Sequence, residues 1–252
     1  MKKTIITLIA LAGVASAASI GYDEMTDEQK NGVNAYWTET QTFTSESDVW
    51  RDLNTGTSFT ISFDITNINV VSTGATIISF GGSHSAAGWD DGKLLVRLSD
   101  SGSLTLSNSH GTSTNSWSEY FDGSTYGDAT VSAYTSDLGL TAAESLTTST
   151  TFTFVSDTAN KTFTIYKNGS QIDQWTNWNT DTGLTGVQFG RRWHGGATLG
   201  EGETVDFDNV TIWSKALNAS DVSALIVPEP TTATLSLLAL CGLAARRRRA
   251  SR

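Results

Sequence analysis

The chain has 252 residues and carries 26 Asp and Glu against 16 Lys and Arg, which gives a formal net charge of −10 at pH 7. Residues 18–226 alone hold nine Lys and Arg against 25 Asp and Glu, so their formal charge is −16; such a surface repels anionic membranes and excludes nucleic acid as a partner. The one cysteine, Cys241, lies near the C-terminus, which excludes disulfides, thiolate nucleophiles and cysteine-ligated metal centres from residues 18–226.

The N-terminal residues have the three parts of a secretory signal peptide. Lys2 and Lys3 give a positive start, residues 5–14 are an apolar segment, and residues 15–17 (Ala-Ser-Ala) form a small-residue cleavage site. The apolar segment is too short for a membrane-spanning helix, which needs about 20 residues. We therefore predict a signal peptide at residues 1–17, its removal by signal peptidase, and export through the inner membrane.

The middle of the chain has the pattern of short β-strands. In residues 58–65, Phe and Ile alternate with Ser, Thr and Asp, which predicts a strand with one buried face. Residues 93–98 and 103–107 flank an Asp-Ser-Gly sequence that is typical of a hairpin turn. By the same reasoning, further strands are predicted at residues 75–80, 151–155, 161–167, 171–175, 184–189 and 204–213.

Helical patterns are short and few. One or two turns are predicted at residues 26–31, and a second short helix is predicted to begin after Asn218 and to run through residue 226. Asn218 is a good capping residue, and Asp221 lies near the positive end of that helix.

Residues 107–149 are the least regular stretch and are rich in Ser, Thr and Gly, so we expect long loops there around one or two strands near residues 129–134. Many short strands joined by turns, without a repeat of about 20–50 residues, predict a single all-β sandwich or jelly roll over residues 18–226.

Two late segments resemble laminin-G-like domains of the concanavalin A type. Residues 151–155 and 162–169 resemble the strand–turn–strand unit of that fold, and residues 205–222 resemble its closing strand and short helix. The resemblance implies a LamG-like, concanavalin A-like jelly-roll sandwich with short helices over residues 18–226. This fold hosts lectins, adhesion modules, glycosidases and inert spacers, so the resemblance implies no single function.

The predicted closing strand carries the candidate catalytic acids. Alternation puts Val205, Phe207 and Asn209 on one face and Asp206 and Asp208 on the other. Glucanases of this broad fold carry a further Glu on this strand, and retaining enzymes need two carboxylates about 5–5.5 Å apart. Because the strand has no such Glu after its two Asp, we predict no catalytic residue. The resemblance implies instead that Asp208 ties the strand to neighbouring loops.

The candidate glycan-binding residues are expected on loops. Two of the nine cations of residues 18–226 stand beside a Trp in a loop that follows the strand predicted at residues 184–189. A Trp ring can stack on a sugar, and Arg can donate two parallel hydrogen bonds. The predicted glycan-binding residues are Arg191, Arg192, Trp193, His194, Trp89 and Trp178. A salt-bridged loop with a half-buried Trp193 stays open as the alternative.

The remaining candidate residues are two acids and three further Trp. Asp90 and Asp91 are candidate calcium ligands, but the chain offers no full ligand series there, so no cofactor is predicted and calcium stays open. The other Trp residues that we expect in the core are Trp37, Trp50 and Trp213.

The C-terminal residues have three distinct parts. The first part is the motif Val227, Pro228, Glu229 and Pro230, and the last is the cluster Arg246, Arg247, Arg248 and Arg249. The uncharged residues 231–245 between them span about 22 Å as a helix, which is short of the roughly 30 Å of a hydrocarbon core. We therefore predict a transient membrane helix with the arginine cluster on the cytoplasmic side.

The three parts in this order resemble the PEP-CTERM tail of Gram-negative bacteria. That resemblance implies an exosortase-type membrane transpeptidase as a partner, a cut near the motif, and delivery to the cell surface or extracellular matrix. We expect residues 227–252 to be this tail and residues 18–226 to be a noncatalytic module that binds glycan or a matrix component. A glycoside-active enzyme on the same fold and a structural spacer of the surface matrix stay open as alternatives.

Overall fold

Two β-sheets packed face to face form the core of the protein. A computed structural model describes residues 17–47, 49–72, 74–81, 94–99, 102–108, 125–126, 129–130, 134–141, 149–178, 183–190 and 199–228. Strands dominate these residues, and their inward side chains form one continuous hydrophobic core between the sheets. The predicted all-β sandwich is therefore confirmed.

The described strands are short and follow one another closely along the chain. In chain order they are β1 (Ala17–Ser19), β2 (Val33–Trp37), β3 (Gln41–Thr44), β4 (Val49–Asp52), β5 (Phe59–Asn69), β6 (Thr76–Phe80), β7 (Leu94–Leu98), β8 (Ser103–Asn108), β9 (Thr125–Tyr126), β10 (Ala129–Thr130), β11 (Thr135–Thr141), β12 (Thr150–Asp157), β13 (Thr162–Lys167), β14 (Ser170–Thr176), β15 (Gly186–Phe189), β16 (Thr204–Trp213) and β17 (Ile226–Pro228).

Each sheet has one continuous path of hydrogen-bonded strands. In the described part of the chain, the larger sheet has nine strands with the path β14-β13-β12-β5-β16-β2, and β3 pairs with the other half of β16. The smaller sheet follows the path β11-β8-β7-β6-β15-β4, while β9 and β10 form a separate ribbon. Within these two paths all pairs are antiparallel.

The strand β5 lies at the centre of the larger sheet, and its inner face supplies much of the core. Its inward Phe and Ile residues are at most 3% exposed. The ring of Phe63 lies 5.5–6.2 Å from the rings of four other Phe residues, which come from β6, β12 and β16. Burying one such side chain contributes about 1.5–3 kcal/mol to stability, so this aromatic cluster joins the two sheets.

The outer face of the larger sheet is covered as well. A second hydrophobic cluster lies there, and its members are Met25, Val155, Tyr166, Trp213, Leu217, Val222 and Leu225. Trp213 is fully buried and donates from Nε1 to the Gln29 carbonyl at 2.7 Å. Residues near both ends of the described chain therefore form a third layer over β5, β12 and β16.

The polar residues on the outer face of β5 lie beneath this layer and have partners. Thr60 donates to the Lys215 carbonyl at 2.8 Å and accepts from the Leu217 amide at 2.9 Å. Ser62 shares a hydrogen bond with Thr153 at 3.0 Å. Such pairing is needed because an unpaired buried polar group costs about 1–3 kcal/mol.

Each helix begins after a capping residue; Asn218 was predicted for the second helix, which ends at Ala224 and not at residue 226, because β17 begins there. A 3-10 turn at Tyr22–Glu24 precedes α1 (Asp27–Lys30), which Thr26 caps, and α2 (Ala219–Ala224) is capped by Asn218. Both helices close a reciprocal capping box, which satisfies amides at the helix start. The described residues contain no helix with the length and apolar content that a membrane crossing requires.

Most predicted strands are confirmed, whereas β1 and β17 were not predicted. Three further differences have a physical reason. First, β2, β3 and β4 were not predicted, since only one side chain of β2 and β3 is fully buried and no apolar alternation marks them. Second, of the one or two strands expected near residues 129–134, β10 lies at Ala129–Thr130, and the longer β11 begins only at Thr135. Third, the alternation of β16 breaks at a bulge: Asn209 has a φ of 47° and Val210 takes the inward place predicted for Asn209.

The core Trp residues are placed in part as predicted. Trp213 is fully buried, whereas Trp37 is half-buried against the main core with the Arg51 guanidinium 5.5 Å from its ring centroid. The side chain of Trp50 lies outside the described residues.

We expect Phe63→Ala to lower the free energy of unfolding by about 3–5 kcal/mol, because the truncation leaves a cavity between the two sheets. Urea denaturation monitored by Trp fluorescence measures this. Ile172→Ala, on a side chain that is 41% exposed in β14, is the control and should change the value by no more than about 0.5 kcal/mol. Equal losses in the two variants would contradict the placement of this core.

Candidate functional site

The predicted binding loops lie outside the described residues. This holds for Arg191, Arg192, Trp193 and His194, and also for Trp89, Asp90 and Asp91. The strands that precede and follow these residues are described, however. They show where the segment with Trp89 and the segment with Trp193 leave the sandwich.

The two groups begin at opposite ends of one antiparallel strand pair. The amide of Gly81, directly after β6, donates to the Gly186 carbonyl at 2.7 Å, where β15 begins. The amide of Gly190, directly after β15, donates to the Ile77 carbonyl at 2.8 Å, near the start of β6. Four residues of strand correspond to about 13 Å. Trp89 and Trp193 therefore belong to segments that leave opposite ends of this pair.

The two residues that border the segment with Trp193, Gly190 and Leu199, are fixed by the sandwich. The Leu199 amide donates to the Gly190 carbonyl at 3.1 Å, so the residues before and after the segment 191–198 are joined directly. Gly190 has a φ of 72°, and a Cβ atom there would lie 3.3 Å from both Leu199 Cδ1 and the Thr44 carbonyl. Leu199 is 1% exposed and belongs to the main core. The sandwich therefore fixes where this Arg-Arg-Trp-His segment starts and ends.

The prediction that Trp178 binds glycan is wrong, because its ring lies in the core. Trp178 is 4% exposed, and its Nε1 donates to Ser156 Oγ at 2.9 Å. Its ring packs 4.9 Å from that of Phe163 and 5.6 Å from that of Trp175, which stacks in turn on Tyr134. With both ring and N–H in use, Trp178 has no face left for a sugar.

An exposed aromatic pair that the sequence analysis missed lies on the outer face of the larger sheet. Tyr36 on β2 is 46% exposed and stacks on Tyr22 with ring centroids 3.7 Å apart and an interplanar angle of 9°. The Lys30 ammonium lies 5.1 Å from the Tyr22 centroid. Tyr36 stands at an exposed position in the alternation of β2, but the sequence does not show that Tyr22 reaches it.

A surface cavity of about 330 Å³ lies between α1 and α2. Its lining residues include the acids Glu28 and Asp221, Lys215 and the apolar Leu217. Gln29 bridges the two helices by donating from Nε2 to the Ala224 carbonyl at 3.3 Å. Ligand sites usually measure about 300–1,000 Å³, so this cavity is large enough for a small polar molecule.

Asp206 and Asp208 point away from the core, as predicted, but they do not form an open acid pair. Asp208 accepts from the Thr40 hydroxyl at 2.9 Å and from the Asn209 amide at 2.8 Å. It thus ties β16 to the turn before β3, the role that the family resemblance implies. Asp206 keeps one buried carboxylate oxygen that has no donor among the described residues. Those residues also contain no cluster of three His, Cys, Asp or Glu suited to a metal ion.

Glu203 closes the loop before β16 and serves a structural role. Its Oε1 accepts from the Val71 amide at 2.7 Å and the Ser72 amide at 2.6 Å, and its Oε2 accepts from the Gly200 amide. Burial alone raises the pKa of Glu203, but these hydrogen bonds outweigh it and hold the pKa below its ordinary value. The carboxylate is therefore stabilised in its charged form and has no oxygen left for catalysis.

Asp64 on β5 is a buried carboxylate beneath the N-terminal strand. It is 1% exposed and accepts from the Ser19 amide at 3.2 and 3.3 Å, from Asn209 Nδ2 at 3.0 Å and from the Thr151 hydroxyl. Burial raises the pKa of Asp64, and these hydrogen bonds oppose the rise. Since the alternation of β5 places it opposite the core, the sequence alone indicates a solvated acid and not a buried one.

The first part of the predicted sorting motif is paired with the N-terminal strand. Val227 and Pro228 on β17 are the register partners of Ala18 and Ala17 on β1. The other predicted tail residues, which are Glu229, Pro230, Arg246, Arg247, Arg248 and Arg249, lie outside the described residues. The two predicted processing positions therefore border the same pair of strands.

We expect Glu203→Gln to lower the free energy of unfolding at pH 7 by about 1–3 kcal/mol, because a neutral amide accepts these hydrogen bonds less well. The folded pKa of Glu203 is lowered, so its stabilisation is present above the unfolded value of about 4.3 and is lost as the pH falls through the folded pKa.

Urea denaturation between pH 7 and pH 3 should therefore show the difference between the parent and Glu203→Gln shrinking on acidification. Glu201→Gln, at an exposed position two residues away, is the matched control and should behave like the parent. A difference that stays constant over this range would contradict a charged Glu203.

No family model matches the chain, and no curated protein matches it. Among solved structures, it is similar to the botulinum neurotoxin serotype D binding domain, with a TM-score of 0.50 and 14% identity over 83% of this chain and 46% of that one. For the binding domain of Paraclostridial Mosquitocidal Protein 1, the TM-score is 0.49 with 15% identity, over 84% of this chain and 51% of that one. A botulinum neurotoxin DC binding domain in complex with SialylT gives a TM-score of 0.49 and 15% identity, over 76% and 44%. The chain thus spans about half the length of these solved chains, and the likeness to the serotype D domain shows a shared β-sandwich fold.

Proposed function

We propose that this protein is an exported cell-surface or extracellular-matrix protein whose sandwich is a noncatalytic, LamG-like module of the concanavalin A type that binds glycan or another matrix component. The observation that carries the proposal is that Gly190 and Leu199, which border the segment 191–198, are fixed by the sandwich. A loop whose two ends are fixed by Gly190 and Leu199 loses less conformational freedom on binding than a free one. That loop contains Arg191, Arg192, Trp193 and His194, which combine a stacking ring with hydrogen-bond donors.

The arrangement of the described acids supports a noncatalytic role. Glycoside hydrolysis needs two carboxylates that flank an accessible bond. Glu203 and Asp64 are buried and hydrogen-bonded to the chain, and Asp208 is held by Thr40. Binding by neutral contacts also suits a module with a formal charge of −16 in residues 18–226, since neutral glycans are not repelled by it.

The route to the surface is part of the proposal. Signal peptidase removes residues 1–17, the helix in residues 231–245 holds the chain transiently in the membrane, and an exosortase-type enzyme cuts near the motif at residues 227–230. The antiparallel pairing of β1 with β17 brings the residues beside both proposed cuts together on one pair of strands.

The binding loop is tested by comparing two Trp truncations. Trp193→Ala should leave the melting temperature nearly unchanged and should weaken glycan binding several-fold, because stacking of this kind contributes about 0.5–1.5 kcal/mol. Trp178→Ala is the matched control and should lower the free energy of unfolding by about 3–5 kcal/mol, as truncations of buried Trp do. Differential scanning calorimetry measures the first effect, and a glycan array with and without calcium identifies the ligand class.

The outcomes of this comparison are distinct. A large loss of stability in Trp193→Ala would show that its ring fills the core and would end the proposal for this loop. An unchanged melt together with an array that shows no ligand would favour a structural spacer of the matrix instead.

The tail is tested on the exported protein. We expect its intact mass to lack the residues after about Val227, because the short helix at residues 231–245 is a marginal anchor that a cut near the motif releases. Retention of Arg246–Arg249 in protein collected from the cell surface would contradict processing at the motif.

A further inference from the structure

We infer that Asp64 is the binding site for the α-ammonium group that signal-peptide removal creates at Ala18. The inference rests on the export step of the proposed function, and it goes beyond it by assigning a role to a buried carboxylate. Three observations support it: the Ser19 amide contacts Asp64, β1 pairs with β17, and the donors around Asp64 are neutral.

Asp64 is a buried carboxylate without a cationic partner among the described residues. Its side chain is 1% exposed, and both oxygens accept hydrogen bonds from neutral groups. No Lys, Arg or His of the described residues forms an ion pair with it. Buried carboxylates are normally paired. The charged group that stands nearest in register is another acid, Asp208, which lies directly opposite Asp64 on β16.

The backbone of β1 brings the N-terminus of the processed chain to this carboxylate. The amide nitrogen of Ser19 lies 3.2 Å from Asp64 Oδ2 and 3.3 Å from Oδ1. The nitrogen of Ala18 precedes it by one residue, and one residue of chain extends at most about 3.8 Å. A cut after Ala17 therefore creates the new ammonium within one residue of the atom that already contacts Asp64.

Ser19 is fixed by contacts on two sides, so the new N-terminus loses little conformational freedom when it contacts Asp64. Asn209 donates from Nδ2 both to the Ser19 carbonyl, at 3.2 Å, and to Asp64. Ala18 pairs with Val227 and Ser19 with Ile226 on β17, and the Ile20 amide donates to the Leu225 carbonyl at 2.8 Å. Rotation about the Cα–C bond of Ala18 moves its nitrogen and leaves the contacts of Ser19 and Ile20 in place.

The cut removes Ala17 from β1 and changes the charge at the new N-terminus. Before it, the nitrogen of Ala18 is a neutral amide; afterwards it is an ammonium with three donors. An opposite charge favours the ionised carboxylate, which relieves the penalty that burial imposes on Asp64, and the carboxylate in turn raises the pKa of the amine. The processed protein is then more stable than a chain whose N-terminus is blocked.

The test uses the exported protein, whose intact mass first establishes the N-terminal residue. Acetylation at mildly acidic pH selects the α-amine, whose ordinary pKa is about 7.7–8.0, over Lys at about 10.4. Acetylation should lower the melting temperature of the parent by at least about 2–4 °C. It should leave the melting temperature of Asp64→Asn, prepared in the same way, unchanged. No shift in the parent, or equal shifts in the two proteins, would overturn the inference.

A second measurement needs no variant and decides the matter if Asp64→Asn does not fold. The rate of acylation of the α-amine as a function of pH reports its pKa in the parent, which should lie above about 7.7–8.0. Because this folded pKa is raised, the stabilisation is complete below the unfolded pKa and is lost as the pH rises through the folded one. An ordinary or lowered amine pKa would overturn the inference.

The mass measurement separates the two proposals. A first residue other than Ala18 would contradict the predicted cut and this inference together. A chain that begins at Ala18 with an ordinary amine pKa would contradict the ammonium site alone and leave export untouched.

Discussion

Burial of β5 on both faces is the constraint on which the rest of this structure depends. A strand of a two-sheet sandwich usually has one face in the core and one in water. Here Phe59, Ile61, Phe63 and Ile65 face the core, whereas the intervening Thr and Ser residues are buried beneath a third layer. That layer comes from residues near both ends of the described chain, so the ends are structural parts of the sandwich. Buried polar groups on this outer face need partners, and the side chains of Thr60, Ser62 and Asp64 on β5 have them.

The core side of this arrangement could be predicted from the sequence. Phe and Ile at every second position in β5 and β12 indicate strands with a buried face, and the capping residue Asn218 marks the start of the second helix. The third layer could not be predicted, because Thr60, Ser62 and Asp64 alternate with apolar residues in the same way as solvent-facing residues do. The strands β2 to β4 were missed for the converse reason: they are stabilised by pairing with β15 and β16, and pairing leaves little trace in composition.

The candidate sites also include residues whose surroundings the sequence indicates and residues whose surroundings it does not. A Trp in a polar stretch indicates an exposed ring, yet Trp178 packs in the core. Its burial is possible because the buried Ser156 hydroxyl accepts a hydrogen bond from its N–H. Asp208 could be assigned to the chain's own architecture, since the resemblance to laminin-G-like domains implies that role. The environments of Asp64 and Tyr36 depend on contacts with Ser19 and Tyr22, which are far away in sequence, and no local pattern contains such information.

The pairing of β1 with β17 also means that the described chain nearly closes on itself. Ala17 and Pro228 are register partners, and such partners in antiparallel strands have Cα atoms about 4.5–5.5 Å apart. A short linker could therefore join these two residues into a ring. The ring could be reopened between Ala159 and Asn160, two exposed residues in the turn between β12 and β13, without altering any strand pair. The order in which the strands follow one another along the chain is thus separable from the order in which they lie in the sheets, and a circularly permuted protein should build the same sandwich.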